Sequence, residues 1–184
     1  MQRELDGSHS RHLRLVTRHG AVVGQLRTNE NVSTLHYLNV AAMSRNFLVM
    51  QPPITPSKGW NISEGAIALS ISTVLFAQEL SEYVPVAGDP VAAAEYERCA
   101  VRLNVGDYAV EGFLHLPHGA DPITRLNQDP HAFFALSSAS VMGPDSQFAA
   151  AFLAVKRSEV IAVQAIEIDA TLDASAEPEM TTTC

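Results

Sequence analysis

The stretch LRLVTRHGAVVGQL (residues 13–26) aligns without gaps on VRLNVGDYAVEGFL (residues 101–114), at an offset of 88. In both stretches apolar and polar residues alternate on either side of a short turn, a pattern typical of a β-hairpin. Each turn, at residues 18–20 or 106–107, contains a glycine that accepts the positive φ of a tight turn. The identical positions are Arg14, Leu15, Ala21, Val22, Gly24 and Leu26, with Arg102, Leu103, Ala109, Val110, Gly112 and Leu114.

Further matches follow the hairpin in the same order. Leu38-Asn39 aligns on Leu126-Asn127 at the same offset, and short gaps then place Phe47 on Phe134. Finally ALSISTVLFAQ (residues 68–78) matches AVKRSEVIAVQ (residues 154–164). Alternation alone gives part of such a match in any β-rich chain. Three ordered blocks nevertheless predict two tandem copies of one unit.

Each copy is expected to contain five short strands. The hairpin is followed by a polar loop (residues 29–37 or 117–125), a third strand, and two strands joined at residues 70–73 or 156–159. Five strands in about 70 residues would expose long edges as a flat sheet, so a strongly bent, nearly closed barrel is favoured. Gly24 and Gly112, in mid-strand, fit the required bend.

The predicted fold is therefore all-β, with two tandem five-stranded barrels at residues 12–84 and 89–170. Asp89-Pro90 supplies a helix N-cap and a first helical residue, which predicts a short helix, up to Arg98, before the second barrel. Residues 171–184 mix acidic residues with Ala, Pro and Thr and are expected to form a mobile acidic tail.

The charge of the chain is −8 and unevenly distributed. Up to Gly88 there are seven Lys and Arg against six Asp and Glu, and beyond it there are five against fourteen. Binding to a phosphate backbone requires clustered cations, so this balance disfavours nucleic acid as a partner without removing RNA from consideration.

The composition favours a soluble, cytoplasmic protein. Cys99 and Cys184 lie far apart, which makes a disulfide framework of the secreted type improbable. Residues 1–11 carry charges where a signal peptide needs an apolar run. The apolar stretches at residues 66–77 and 148–155 are too short to cross a bilayer, so no membrane association is expected.

The two hairpins resemble the first signature of the Sm-like small β-barrels. The residues concerned are Leu13-Arg14-Leu15 with residues 22–26, and Val101-Arg102-Leu103 with residues 110–114; residues 154–166 resemble the second signature. The resemblance implies five bent strands per unit, side-by-side assembly through outer strands and, in many members, RNA binding. Here the asparagines Asn39 and Asn127 come after an enlarged loop, and the Arg-Gly of the second signature is replaced by Arg157-Ser158 or Ser72-Thr73.

Three functional interpretations follow. The leading one is a non-enzymatic oligomerising or scaffold protein that binds further copies of itself or another protein. RNA binding through Asn39 and Asn127 is the second, although these asparagines are equivalent in the two copies, which favours a structural role in which they bond backbone groups. The third is a nucleotide receptor of the PilZ type, in which Arg14 and Arg18 grip phosphates. In that motif a glycine should stand where this chain has His36, and arginines in a hairpin often form only its solvent face.

Other side chains carry weaker signals. Trp60, in the proline-rich loop of residues 51–61, is a candidate partner contact or a plug for its barrel. The histidines His9, His12 and His19, and the pair His115 and His118, have no carboxylate or thiolate partner at ligand spacing, so no metal site is predicted. Cys99 is interpreted as a core thiol, and no catalytic motif or cofactor-binding loop is found.

Overall fold

The described residues form ten β-strands that hydrogen-bond into one antiparallel sheet. The computed structural model describes residues 9–28, 32–56, 65–80, 96–144 and 147–166. The strands are β1 His9–Thr17, β2 Gly20–Thr28, β3 Phe47–Pro56, β4 Ile67–Ser70, β5 Val74–Glu79, β6 Tyr96–Val105, β7 Tyr108–Pro117, β8 Phe133–Met142, β9 Gln147–Lys156 and β10 Val160–Ala165. Two helices, α1 Thr34–Ser44 and α2 Pro122–Gln128, and two 3-10 turns, η1 Ile71–Thr73 and η2 Arg157–Glu159, complete the described elements.

The all-β prediction is confirmed, whereas the division into two separate barrels is not. The sheet is open and runs in the order β10-β6-β7-β8-β9-β5-β1-β2-β3-β4. It is continuous because β5 pairs on one side with β1 and on the other with β9. Within the described residues, β10 and β4 are the two outer strands.

The two halves of the sheet have the same internal strand order. The first half runs β5-β1-β2-β3-β4 and the second runs β10-β6-β7-β8-β9. The predicted hairpin turns and the predicted joints at residues 70–73 and 156–159 are confirmed, since η1 and η2 occupy those joints. Gly20 and Gly106 adopt the expected positive φ, 130° and 57°.

Corresponding positions can be paired through strand starts. β2 and β7 begin at Gly20 and Tyr108, 88 residues apart, whereas β3 and β8 begin at Phe47 and Phe133, 86 apart. The offset changes from 88 to 86 between these strands. The helix α1 has 11 residues and α2 has 7, whereas the connection from helix to strand is shorter in the first half, residues 45–46, than in the second, residues 129–132. We call two residues counterparts when they are related by these offsets.

The helices occupy segments that were partly predicted as loops. Ser33 caps α1 by accepting a hydrogen bond from the His36 amide, and Asp121 caps α2 by accepting one from the Thr124 amide. Pro122 takes the first turn of α2, where its missing N–H costs nothing. The same Asp-Pro pattern predicted a helix at Asp89-Pro90.

The predicted helix leading into the second half is wrong where it can be checked. Tyr96, Glu97 and Arg98 belong to β6, where they pair with Pro117, Leu116 and His115 of β7. Each strand of this hairpin has ten residues. Residues 96–98 therefore take part in strand pairing and not in the hydrogen bonds of a helix. Residues 81–95, Trp60 and the predicted tail at 171–184 lie outside the described residues.

The buried apolar side chains form two clusters, one in each half, and each cluster includes residues from the other half. Val16, Leu75 and Phe76 belong to the core of the second half, which we call core 2. Phe133 and Ala154 belong to the core of the first half, core 1. The two halves therefore complete each other's cores. Neither described helix has the length and apolar character that a membrane-spanning helix requires.

Both mid-strand glycines lie at irregularities in the ladder. The register shifts between Val23 and Gln25 in the β2–β3 pair and between Glu111 and Phe113 in the β7–β8 pair. A Cβ at Gly112 would lie 3.2 Å from the Ser137 carbonyl oxygen and 3.3 Å from the Ala139 Cα. The glycines therefore allow close approach of the next strand at a local bend.

Replacing Gly112 by alanine is expected to destabilise the fold by about 1–3 kcal/mol, because the added methyl meets backbone atoms that cannot move independently. Gly24→Ala is the matched control, since the nearest atom there is the flexible Met50 Cε at 3.2 Å. Urea denaturation measures both. Equal losses in the two variants would contradict the assignment of Gly112 to a backbone constraint.

Candidate functional site

The junction between the two halves is the best-developed interface in the described structure. It is built on three antiparallel residue pairs, Phe76–Val155, Ala77–Ala154 and Gln78–Leu153. The backbone pairing of the sheet is continuous across the junction, because β9 pairs with β8 on one side and with β5 on the other. The junction is therefore an example of how an outer strand of one half recognises an outer strand of the other.

Apolar side chains of β5 reinforce the backbone pairing. Leu75 is 3% exposed and lies in core 2, where it approaches the β6–β7 turn at Gly106. The Phe76 ring packs edge-on against Tyr108, with centroids 5.1 Å apart, and lies 6.3 Å from Phe148. Such aromatic pairs add about 0.5–1.5 kcal/mol beyond the area they bury. β5 thus supplies part of the second half's core.

Asn39 of α1 binds the other half through its amide. Its Nδ2 donates to the Phe133 carbonyl at 3.0 Å, and its Oδ1 accepts from the Phe133 amide at 2.8 Å. The β7–β8 ladder does not reach Phe133, so the Asn39 amide takes the place of a paired strand at that peptide. Both Asn39 and Phe133 are buried. We call this pair of hydrogen bonds the Asn39 clamp.

A separate network fixes α1 so that Asn39 reaches its target. The hydroxyl of Thr34, the first residue of α1, donates to Glu79 Oε2 at 2.7 Å. The other carboxylate oxygen of Glu79 accepts from Arg11 Nη1, also at 2.7 Å. Because Glu79 ends β5 and Arg11 belongs to β1, the helix is tied to the strand pair at the junction.

Arg18 and Glu159 form an ion pair across the junction. Arg18 Nε and Nη2 donate to both carboxylate oxygens of Glu159, at 2.7–3.0 Å. Beside them, Lys156 Nζ donates to the carbonyls of Ile71 and Ser72 at 3.2 and 2.6 Å. Burial, helped by the nearby Arg18 charge, lowers the pKa of Lys156, while Glu159 opposes the shift. The bidentate geometry orients η2 against the β1–β2 turn.

The structure separates the four residues that were predicted to bind RNA or nucleotide. Arg14 donates to Gln78 Oε1 at 2.8 Å and lies over the Phe148 ring, 4.7 Å from its centroid. Arg18 is engaged by Glu159, and Asn39 by Phe133. These three side chains therefore hold the junction together. Asn127, on α2, is exposed.

The remaining candidate side chains lie apart from the junction contacts. A hydrogen bond joins His115 Nε2 to Ser137 Oγ at 2.8 Å, and His118 Nδ1 lies 3.4 Å from Glu97 Oε2. Burial, together with the charges of Glu97 and Asp121, raises the pKa of the Cys99 thiol, which disfavours the nucleophilic thiolate. Among the described residues, no three His, Cys, Asp or Glu side chains lie close enough to hold a metal ion.

A shallow cleft beside the Asn39 clamp contains polar side chains from both halves. His36 lines it from α1, and Arg125, Asp129 and His131 line it from the second half. His131 Nδ1 lies 2.6 Å from Asp129 Oδ1. Burial raises the Asp129 pKa, but the hydrogen bonds from His131 together with the charges of His131 and Arg125 outweigh burial, and the net pKa is lowered. The Asp129 carboxylate is thus held ionised beside the clamp.

The outer strands β10 and β4, together with β3 beside β4, expose residues whose counterparts are buried at the junction. Ile161 of β10 is 74% exposed, whereas its counterpart Leu75 is 3% exposed. Phe47, at the start of β3, is 54% exposed, whereas its counterpart Phe133 is 1% exposed. Ala68 of β4 is likewise exposed, and its counterpart Ala154 is buried. The two ends of the described sheet therefore expose apolar residues whose counterparts the junction buries.

Comparison with protein-family models, with curated proteins and with solved structures gives no match.

The sequence contains a signal for this site in the apolar positions that recur in both halves. Leu75 aligns with Ile161, and Phe47 aligns with Phe134, one residue from its structural counterpart Phe133, but the alignment does not show whether such a position is buried in both halves or exposed in one. Which of these holds depends on strand pairing between distant segments, and no local pattern reports it.

Replacing Asn39 by alanine is expected to destabilise the chain by about 2–3 kcal/mol, because the buried Phe133 amide and carbonyl lose both hydrogen bonds. Asn127→Ala, at the exposed counterpart, should cost less than about 0.5 kcal/mol. Urea denaturation of dilute protein compares them. A loss below about 0.5 kcal/mol for Asn39→Ala would show that the clamp contributes nothing to stability.

Proposed function

We propose that the protein is a non-enzymatic assembly protein, built of two tandem Sm-like units, that joins other protein chains through the outer strands of its sheet. The observation that carries the proposal is the junction itself. Inside the chain, β5 of one half pairs with β9 of the other. Their counterparts, β10 and β4, stand at the two ends of the described sheet, each paired on one side.

The correspondence between the halves supports the tandem arrangement. Beyond the strand order, particular loop hydrogen bonds recur: the Arg18 amide donates to the Thr73 carbonyl, and their counterparts Gly106 and Glu159 make the same bond. The Ile71 amide donates to the Asn46 carbonyl, and the Arg157 amide donates to the Ala132 carbonyl. Side-by-side contact through outer strands is also the assembly mode that the Sm-like resemblance implies.

The outer strands have the properties of a binding edge. An outer strand presents a row of N–H and C=O groups that can pair with another chain, and proteins that must avoid this place charges or prolines there. The sequences of β10, VIAVQA, and β4, IALS, contain neither. Ile161 adds an exposed apolar side chain, whose full burial is worth about 1.5–3 kcal/mol.

The contacts available at the ends also predict how assembly responds to salt. The Arg18–Glu159 ion pair across the internal junction and the Arg11–Glu79 pair within the first half have no charged counterparts at the ends, where Gly106, Thr73, Cys99 and Ala165 stand instead. Association through backbone hydrogen bonds and apolar contacts is only weakly screened by salt. Self-association should therefore not weaken as ionic strength rises, and screening of the repulsion between copies of net charge −8 should strengthen it.

Light scattering tests the proposal. The wild-type protein should have a mass that is a multiple of 19.8 kDa and that decreases on dilution. Ile161→Lys should shift the association midpoint to at least about tenfold higher concentration, because it removes the apolar contact and places a charge on the edge.

Met142→Lys is the matched control, since Met142 is also an exposed apolar residue but lies on β8, which is paired on both sides. It should assemble as the wild type does. A wild-type mass of 19.8 kDa at every concentration and salt would overturn assembly as the function.

A further inference from the structure

We propose that the partner at these edges is a second copy of the chain, bound head to tail, with β10 of one copy beside β4 of the next and Asn127 clamped on the Phe47 peptide of that next copy. This inference rests on the proposed assembly function and adds the partner, the polarity and the register. It takes the internal junction as the template for the external one.

The template fixes the register of the external pairing. Internally Phe76, Ala77 and Gln78 lie opposite Val155, Ala154 and Leu153. Replacing each residue by its counterpart places Ala162 of one copy opposite Leu69 of the next. By the same replacement, Val163 lies opposite Ala68 and Gln164 opposite Ile67. These strands are antiparallel, as at the internal junction.

The clamp has a matching pair of exposed groups. Asn127 occupies on α2 the position that Asn39 occupies on α1, one residue after a buried leucine in each helix. Phe47 begins β3 as Phe133 begins β8. The described β2–β3 pairing ends at Leu26–Met50, three residues short of Phe47, so no described β2 residue pairs with Phe47 on the side that corresponds to the clamp.

Only the head-to-tail arrangement brings Asn127 and Phe47 together. The side-chain amide of Asn127 lies in the half whose outer strand is β10, whereas the Phe47 peptide lies in the half whose outer strand is β4. A two-fold contact between two β10 strands would place α2 beside α2, and one between two β4 strands would place Phe47 beside Phe47. A head-to-tail interface is heterologous, so repeated use of it yields a closed ring or an open chain.

The external junction lacks some contacts of the internal one. Phe76 packs on Tyr108, but their counterparts are Ala162 and Gly20, which have no rings. Leu75 has an apolar counterpart in Ile161. The external contact therefore keeps the backbone pairing, one large apolar side chain and the clamp, and it should be reversible at concentrations where the internal junction stays closed.

Disulfide trapping tests the polarity and register. In a Cys99→Ser, Cys184→Ser background, one protein carries Val163→Cys and a second carries Ala68→Cys. Directly opposite residues of antiparallel strands have Cα atoms about 4.5–5.5 Å apart, within disulfide range. Mixing the two under mild oxidation should give the mixed disulfide dimer. The double variant should give a ladder of linked chains whose largest product reports the number of copies.

The controls give each outcome a meaning. Gln164→Cys with Ala68→Cys, shifted by one residue, should cross-link much less. Efficient dimers from Val163→Cys alone would indicate a two-fold contact between β10 strands and would overturn the head-to-tail inference while assembly itself stands. Multimers in light scattering without any mixed disulfide would overturn it as well. A chain that never assembles would instead remove the proposed function.

The clamp is tested by its own pair of variants. Asn127→Ala should weaken self-association about tenfold, because two hydrogen bonds to the Phe47 peptide are lost. Gln128→Ala, an exposed neighbour on the same helix, should leave association unchanged. Concentration-dependent light scattering measures both. Equal association of the two variants would overturn the clamp, and a lower stability of the dilute Asn127→Ala protein would assign Asn127 to folding rather than to assembly.

Discussion

The fold depends on β5, a six-residue strand that is paired on both sides with strands from different halves of the chain. It closes the first half against β1 and carries Leu75 and Phe76 into the core of the second. Since interiors are packed to near-crystalline density, removing such side chains leaves cavities that the surroundings fill only in part. The two halves are thus one cooperative structure with two cores, held together where β5 meets β9.

The internal junction has contacts whose counterparts are missing at the ends of the described sheet, and the difference lies in a few substitutions between the halves. Where the junction has Arg18 with Glu159 and Phe76 with Tyr108, the ends have small or uncharged residues. The apolar edge positions are retained, as Ile161 illustrates. Under the proposed assembly, the same strand arrangement gives a contact within the chain and a weaker contact between chains.

Local patterns in the sequence predicted the hairpins, the two joints occupied by η1 and η2, and the bends at Gly24 and Gly112, because each depends on residues close in sequence. The capping residues of α1 and α2 were local signals too, but the polar composition around them favoured a loop reading. The continuous sheet could not be predicted, since it depends on pairing between β5 and β9, about 75 residues apart along the chain. The same limit applies to Asn39: its bonding to backbone groups was the favoured interpretation, but its target, Phe133, lies 94 residues away.

The connection through residues 81–95 has a consequence for which partner β9 selects. Both β5 of the same chain and β10 of another chain carry an apolar edge of similar design. A covalent connection holds β5 near β9 at an effective concentration in the range of millimolar, which a separate chain at ordinary cellular abundance does not reach. The covalent connection therefore favours the pairing of β9 with β5, and under the proposed assembly it leaves β4 and β10 as the pair whose association depends on the amount of protein present.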